Sequence, residues 1–181
     1  MRVITGTAKG KRLETLDGMD IRPTTDRVKE AIFSSIQFDM FDAEVLDLFA
    51  GTGQLGIEAL SRGASKAVFV DCSKKSLDVV KKNLEITGFK EKSETYNMNG
   101  VDFIAGNSMK FDFIFLDPPY NKGIIPEILP LLNNKLKENG LIICEYEKNL
   151  ELSEKYGDLT LKKTMKYGKI KISMYCCNGD E

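Results

Sequence analysis

The chain contains no histidine. That absence removes Ser-His-Asp and Cys-His catalysis and leaves carboxylates, lysines, tyrosines and backbone groups to carry any chemistry. It also argues against zinc, because the four cysteines, at 72, 144, 176 and 177, form no C-x-x-C spacing. No metal is expected, and the cysteine usage suits a reduced, cytoplasmic protein. No apolar run approaches the roughly 20 residues of a membrane span. The start, Met1-Arg-Val-Ile-Thr-Gly6, lacks the long apolar region of a signal peptide, so no membrane partner is expected. An excess of one charge sign is missing too. The net charge of −1 provides no global field to draw in a polyanion.

What is present fits one globular domain with a small appendage: 181 residues, 42% of them hydrophobic. The charge is uneven. Residues 1–12 carry Arg2, Lys9, Lys11 and Arg12 with no acid, and residues 159–179 carry Lys162, Lys163, Lys166, Lys169 and Lys171 with no acid. Such ends are either ordinary solvated surfaces or local basic faces able to hold nucleic acid.

Residues 1–16 read as a hairpin, with Val3-Ile4 before a turn-prone Gly-Thr-Ala-Lys-Gly and alternation over Arg12–Leu16 after it. Asp17-Gly18 marks the next turn. Thr24 or Thr25 is placed to cap a helix whose apolar stripe is Val28, Ala31, Ile32 and Ile36, with Arg27 and Lys29 off that stripe. From residue 44 strands and helices alternate. Strands are expected at Glu44–Phe49, Lys66–Asp71, Glu94–Met98, a run ending at Asp117, and Gly140–Glu145. Helices are expected from Ile57 to Gly63, from a Ser73 cap to Gly88, around Val101–Ala105, and over Ile124–Leu136, the last interrupted or started by Pro126 and Pro130. Leu159–Lys162 and Ile170–Tyr175 alternate strictly and predict an antiparallel hairpin with one wet face. The fold expected is α/β: a doubly wound, Rossmann-like, mostly parallel sheet with an antiparallel C-terminal hairpin. Residues 1–40 are expected to form an N-terminal hairpin and helix extension to a domain spanning 41–181.

Two motifs carry chemistry. Gly51-x-Gly53-x-x-Gly56 follows a strand and opens a helix, with Asp71 twenty residues after Gly51. The glycines let a ligand approach the backbone, and Asp71 can grip both ribose hydroxyls. Both NAD and S-adenosylmethionine offer that ribose. Asp47 separates them, since a carboxylate there repels a pyrophosphate and suits the cationic methionyl end of S-adenosylmethionine. It can equally cap the loop amides.

Asp117-Pro118-Pro119-Tyr120 closes the run Phe111–Leu116, where the prolines end a buried strand at the edge on which open α/β sheets bind ligands. An exocyclic amine is a poor nucleophile because its lone pair is conjugated with the base. Asp117 and the Pro118 carbonyl can each accept one of its N–H bonds and aim the nitrogen at a methyl donor. Tyr120 can stack on the base. The bland alternative is an ordinary strand stop with a surface tyrosine.

With these motifs the sequence resembles a class I S-adenosylmethionine-dependent amino-methyltransferase. It is more closely similar to the RsmD family of bacterial enzymes, which act on guanine N2 of 16S ribosomal RNA. Arg22-Pro-Thr-Thr-Asp-Arg27-Val-Lys-Glu-Ala-Ile-Phe33 and Glu58-Ala-Leu-Ser-Arg-Gly-Ala64 narrow the likeness, and it covers nearly the whole chain. The resemblance implies S-adenosylmethionine as cofactor, held by Asp47, Gly51 and Gly53 at its methionyl end and Asp71 at its ribose. Phe49, Thr52, Cys72 and Asp117 complete that set. Where relatives often carry an acid after the third strand, this chain reads Asn97-Met98-Asn99-Gly100, and Asn99, then Asp102, is expected at the adenine. The resemblance places Asp117, Pro118, Pro119 and Tyr120 at the amine and base, and Arg2, Lys9, Lys11, Arg12, Arg22 and Arg27 on the RNA. It implies a monomer acting at guanine 966 of 16S rRNA, and the low net charge suggests a substrate presented by a small-subunit ribosomal particle, or a narrow contact patch. Competing readings are an adenine-N6 DNA methyltransferase, a protein glutamine methyltransferase, and a non-catalytic RNA- or nucleoside-binding module.

Overall fold

A computed structural model of the chain describes residues 1–16 and 25–177. The Asp17-Gly18 turn, Thr24 as a cap, and Arg22 lie outside the described residues. The described residues form one sheet of eight strands in the order β3-β2-β1-β4-β5-β8-β7-β6. β1 (Glu44–Asp47), β2 (Lys66–Asp71), β3 (Ser93–Asn97), β4 (Phe111–Leu116) and β5 (Leu136–Glu147) run parallel, while β6 (Lys155–Tyr156), β7 (Leu159–Tyr167) and β8 (Ile170–Cys177) pair antiparallel beyond β5. The chain leaves β1 toward β2 and β3, then crosses back to β4 on β1's other side. The crevice for a ligand therefore opens between the carboxyl ends of β1 and β4.

Alternation within each strand splits the interior into two layers. Val45, Phe69, Phe113, Phe115, Ile143 and Ile172 face α1 (Asp26–Ile36), α2 (Gln54–Ser61) and α3 (Lys74–Thr87). Leu46, Val68, Ile114, Ile142 and Tyr175 face α4 (Gly100–Gly106) and α5 (Ile124–Ile128). Each large side chain so buried contributes roughly 1.5–3 kcal/mol. Helix ends follow local chemistry. Thr25 Oγ1 accepts from Val28 N at 3.4 Å, Ser73 Oγ accepts from Ser76 N at 3.2 Å, and Gly88 ends α3 at φ 82°.

The N-terminal hairpin is reduced to a single bridge, Arg2 to Arg12, with Val3 N donating to Lys11 O at 3.0 Å and Gly10 N to Val3 O at 2.9 Å. Residues 1–13 and α1 share one core layer with the sheet.

Three expectations are corrected. Lys29, read as lying off the apolar stripe, is fully buried, and its Nζ donates to Arg2 O at 2.7 Å. Burial pushes its ammonium below the ordinary lysine range, against the raising effect of Glu58 and Asp26. The helix expected over Ile124–Leu136 is interrupted, as its prolines imply, at Ile128 and passes into a 3-10 turn, Leu129–Leu132, because Pro130 has no N–H to continue the ladder, but it does not resume toward Leu136. Leu136 instead opens β5. Finally, β8 has no wet face along Ile170–Tyr175, because the segment before β6 covers it. Lys171 donates to Leu150 O at 3.0 Å and Glu151 Oε1 at 2.6 Å, and Ser173 Oγ lies 2.7 Å from Tyr146 Oη.

Candidate active site

The glycine loop begins where β1 ends. Gly51 and Gly53 have φ of 55° and 79°, left-handed values that glycine adopts without strain. At Gly51 an added Cβ would point into open space. Gly56 has a different role. A Cβ there would come within 2.4 Å of the Phe69 ring, so glycine allows α2 to close onto β2.

Two carboxylates brace this loop. Asp47 is buried, and its Oδ2 accepts from Gly56 N at 3.0 Å. Burial raises its pKa to about 7, the Gly56 bond opposes that, and the nearby charge of Asp71 adds to it. Asp71 accepts from Gly51 N at 2.9 Å through one oxygen and from Ser73 N at 2.8 Å through the other. Both acids cap loop amides, and a carboxylate keeps further acceptor capacity beyond one bond per oxygen.

Above the loop lies a cleft of about 310 Å³. Asp47, Phe49, Gly51, Thr52 and Asp117, five of the residues expected at the cofactor, line it, so the ends of β1 and β4 meet in one space. Met1, Thr15, Leu16, Gln54 and Leu55 also line it, and sequence reasoning missed them. The residues of the N-terminal segment carry no local signal, since they arrive only by tertiary packing. Gln54 had a weak one, as a polar residue opening a helix inside the glycine loop. It is buried, and its Oε1 has no hydrogen-bond partner among the described residues. An orphaned buried acceptor is costly unless a donor reaches it.

Cys72 is exposed just beyond β2. Asn99 caps α4, its Oδ1 accepting from Val101 N at 2.7 Å and Asp102 N at 3.2 Å. Asn97 Nδ2 reaches Asp71 O and Cys72 O at 3.0 and 3.1 Å, tying the ends of β2 and β3 together.

In the loop after β4, Pro118 is buried and Pro119 exposed. Asp117 faces the cleft, while Tyr120 lines a second cavity of about 330 Å³. The Tyr120 hydroxyl donates to Glu145 Oε1 at 2.8 Å, and Asn121 N donates to Glu147 Oε1 at 3.0 Å, so β5 pins the loop's far end.

The expected RNA contacts are dispersed. Arg2 Nε meets Asp26 Oδ2 at 3.1 Å, and Arg27 is exposed and lines the second cavity. Lys9, Lys11 and Arg12 are exposed on the N-terminal segment, and Lys11 Nζ donates to Ile86 O at 2.9 Å, at the end of α3 that faces away from the cleft.

These features fit S-adenosylmethionine. A raised Asp47 carboxyl and an orphaned amide oxygen suit a cationic amino-acid end, and Gly51 leaves the backbone open to it. The sheet order, the glycine loop and the acid–proline–proline–aromatic loop at the switch point define a methyltransferase of the class that draws its methyl from S-adenosylmethionine.

The comparisons narrow the class. The profile of the family described as conserved hypothetical protein 95 matches residues 1–176. "Ribosomal RNA small subunit methyltransferase D" of Haemophilus influenzae is 40% identical over 157 residues, covering 84% of this chain and 81% of that protein. The Escherichia coli protein of the same name is 33% identical, covering 97% and 89%. The solved structure of a candidate methyltransferase, yhhF, from Escherichia coli superposes at a TM-score of 0.88 with 32% identity and 99% coverage of both chains. The chain belongs to this family, the RsmD family expected from its motifs.

Proposed function

We propose that this protein methylates the exocyclic N2 amine of a guanine in 16S ribosomal RNA, guanine 966, using S-adenosylmethionine. The observation that carries the reading is the loop 117–120. Asp117 faces the cleft of the glycine loop, and Tyr120 faces away from it into a second cavity. A donor held on one side and a base held on the other would meet at this loop.

S-adenosylmethionine supplies a methyl on a sulfonium that leaves as a neutral thioether. The chain's own residues then have to position. Asp47 and Gln54 would hold the cationic amino-acid end, and Asp71 the ribose, with Phe49, Thr52, Gly53 and Cys72 along the cofactor and Asn99 or Asp102 toward its adenine. The Asp117 carboxylate and Pro118 carbonyl would accept the two amine N–H bonds, turning the nitrogen lone pair toward the methyl. Pro119 keeps the loop out of the ladder, and Tyr120 stacks on the base. After transfer the nitrogen gives up a proton to water or to Asp117. The names of the relatives support ribosomal RNA as the substrate, and Arg2, Lys9, Lys11, Arg12, Arg22 and Arg27 are the cations assigned to it. The reading includes a cytoplasmic monomer acting on a small-subunit particle.

The test is product analysis. Small subunits from a strain lacking this protein are incubated with purified protein and isotopically labelled S-adenosylmethionine, and the rRNA nucleosides are analysed by mass. N2-methylguanosine at a single site is expected. Label in N6-methyladenosine, or no label, overturns the proposal.

A further inference from the structure

The second cavity lies between the start of α1 and the β7–β8 turn, and the base stacked on Tyr120 accounts for only one wall of it. Arg27, Lys166 and Lys169 line it together with Tyr120, Glu145 and Tyr167. All three cations are exposed, and none of the ion pairs among the described residues involves them. Arg27 comes from α1 and the lysines from the turn, more than a hundred residues later, so this charge cluster exists only in the folded chain. The turn itself is open. Gly168 has φ 57°, and a Cβ placed there would meet nothing within 4 Å.

Chemistry selects the occupant. Three exposed cations that make no ion pair among the described residues favour a polyanion. Glu145 at the floor is nearly inaccessible and is bonded to the Tyr120 hydroxyl, so negative charge is kept at the rim, where the cations stand. The cavity also shares Tyr120 with the loop that would hold the target base. A polyanion at this rim is therefore covalently continuous with that base if both belong to one strand.

We infer that this cavity seats the RNA strand immediately beside the target nucleotide, with Arg27, Lys166 and Lys169 holding its phosphodiesters. The inference rests on the RNA reading above and assigns the C-terminal hairpin, rather than the N-terminal segment alone, to substrate binding. Phosphate contacts of this kind fix strand register and leave base choice to the loop.

Lys166→Ala/Lys169→Ala is compared with the wild type and with Lys90→Ala/Lys92→Ala, whose lysines lie just before β3 at the opposite edge of the sheet. Methyl transfer is measured on protein-free 16S rRNA and on small subunits, both from a strain lacking this protein. The cavity double variant is expected to raise KM about tenfold for each RNA that the wild type methylates, to flatten the log–log salt dependence by about 1 to 2 units, and to leave kcat and S-adenosylmethionine affinity unchanged. Lys166→Arg/Lys169→Arg should restore KM, and the Lys90/Lys92 variant should match the wild type. An unchanged KM and salt slope in the cavity variant overturns the inference while the methyltransferase reading stands. Where the wild type methylates both RNAs, a defect confined to the particle means a ribosomal protein occupies the cavity, which also overturns it. A wild type that methylates neither RNA fails the RNA reading itself, and the inference with it.

Discussion

The hydroxyl of Tyr120 donates to Oε1 of Glu145 at 2.8 Å, which ties the aromatic of the β4 loop to the carboxyl half of β5. Tyr120→Phe keeps the ring and removes this bond. We expect a stability loss of about 1–2 kcal/mol, a lower kcat, and unchanged S-adenosylmethionine affinity, because the ring loses its anchor. Urea unfolding and single-turnover kinetics report both. An unaltered kcat would mean that the core packing of the ring is enough to orient it.

Asp117 lines the cleft with Asp47 and Gly51. Asp117→Ala removes one of the two acceptors proposed for the amine, so the rate should drop by at least about a hundredfold. S-adenosylmethionine affinity, followed by calorimetry, should stay within a few-fold. A large loss of affinity with little loss of rate would make Asp117 a cofactor residue instead.

Asp47 gives a pH signature. Its carboxyl rises from an ordinary 3.8 to about 7 on folding, so between these values the native state holds a proton that the unfolded state has released. Stability contributed by that proton is present below about pH 4 and is lost as the pH rises toward 7. Asp47→Asn should therefore flatten the fall in ligand-free stability across this window. A cation bound nearby favours the ionised form, so S-adenosylmethionine affinity should climb as the pH passes through about 7 in the wild type and stay level in the variant. Unfolding curves and calorimetry between about pH 5 and 8 test both slopes.

Gln54 carries a buried acceptor with no partner among the described residues. Gln54→Met replaces it with an apolar chain of similar length. The ligand-free protein should be unchanged or slightly more stable, and S-adenosylmethionine should bind about tenfold more weakly, since a hydrogen bond involving a charged group is worth about 1.5–3 kcal/mol. A variant that binds as well as the wild type removes Gln54 from the site.

Glu58 is buried and accepts from Ile4 N at 2.8 Å, Thr5 N at 3.0 Å and Arg62 Nε at 2.9 Å, fastening the N-terminal segment to α2. Glu58→Ala leaves two part-buried amides and a largely buried guanidinium without their acceptor and should cost about 3–5 kcal/mol. Met1, Thr15 and Leu16 line the cleft, so cofactor affinity should fall as well. Thermal melts with and without S-adenosylmethionine would show a loss of Tm and a smaller ligand-induced rise.

Much of this was legible in the chain because it depends on near neighbours. A Ser73 cap, a Gly88 stop, three glycines at fixed spacing and two prolines after an apolar run are local devices. β2 and α3 lie where the periodicity predicts them, and the doubly wound, mostly parallel sheet follows from the alternation of strands and helices. Other features depend on partners distant in sequence. The polar residues Lys29, Glu58 and Lys171 look like surface positions by pattern, yet each is buried because a backbone or charged group from elsewhere meets it. The same holds at the site. The sequence alone determined that Asp117 and Tyr120 stand together at the end of a buried strand. Only the tertiary structure decided that they face different cavities, because the walls of those cavities come from the N-terminal segment, α1 and the C-terminal turn, which no local rule brings together.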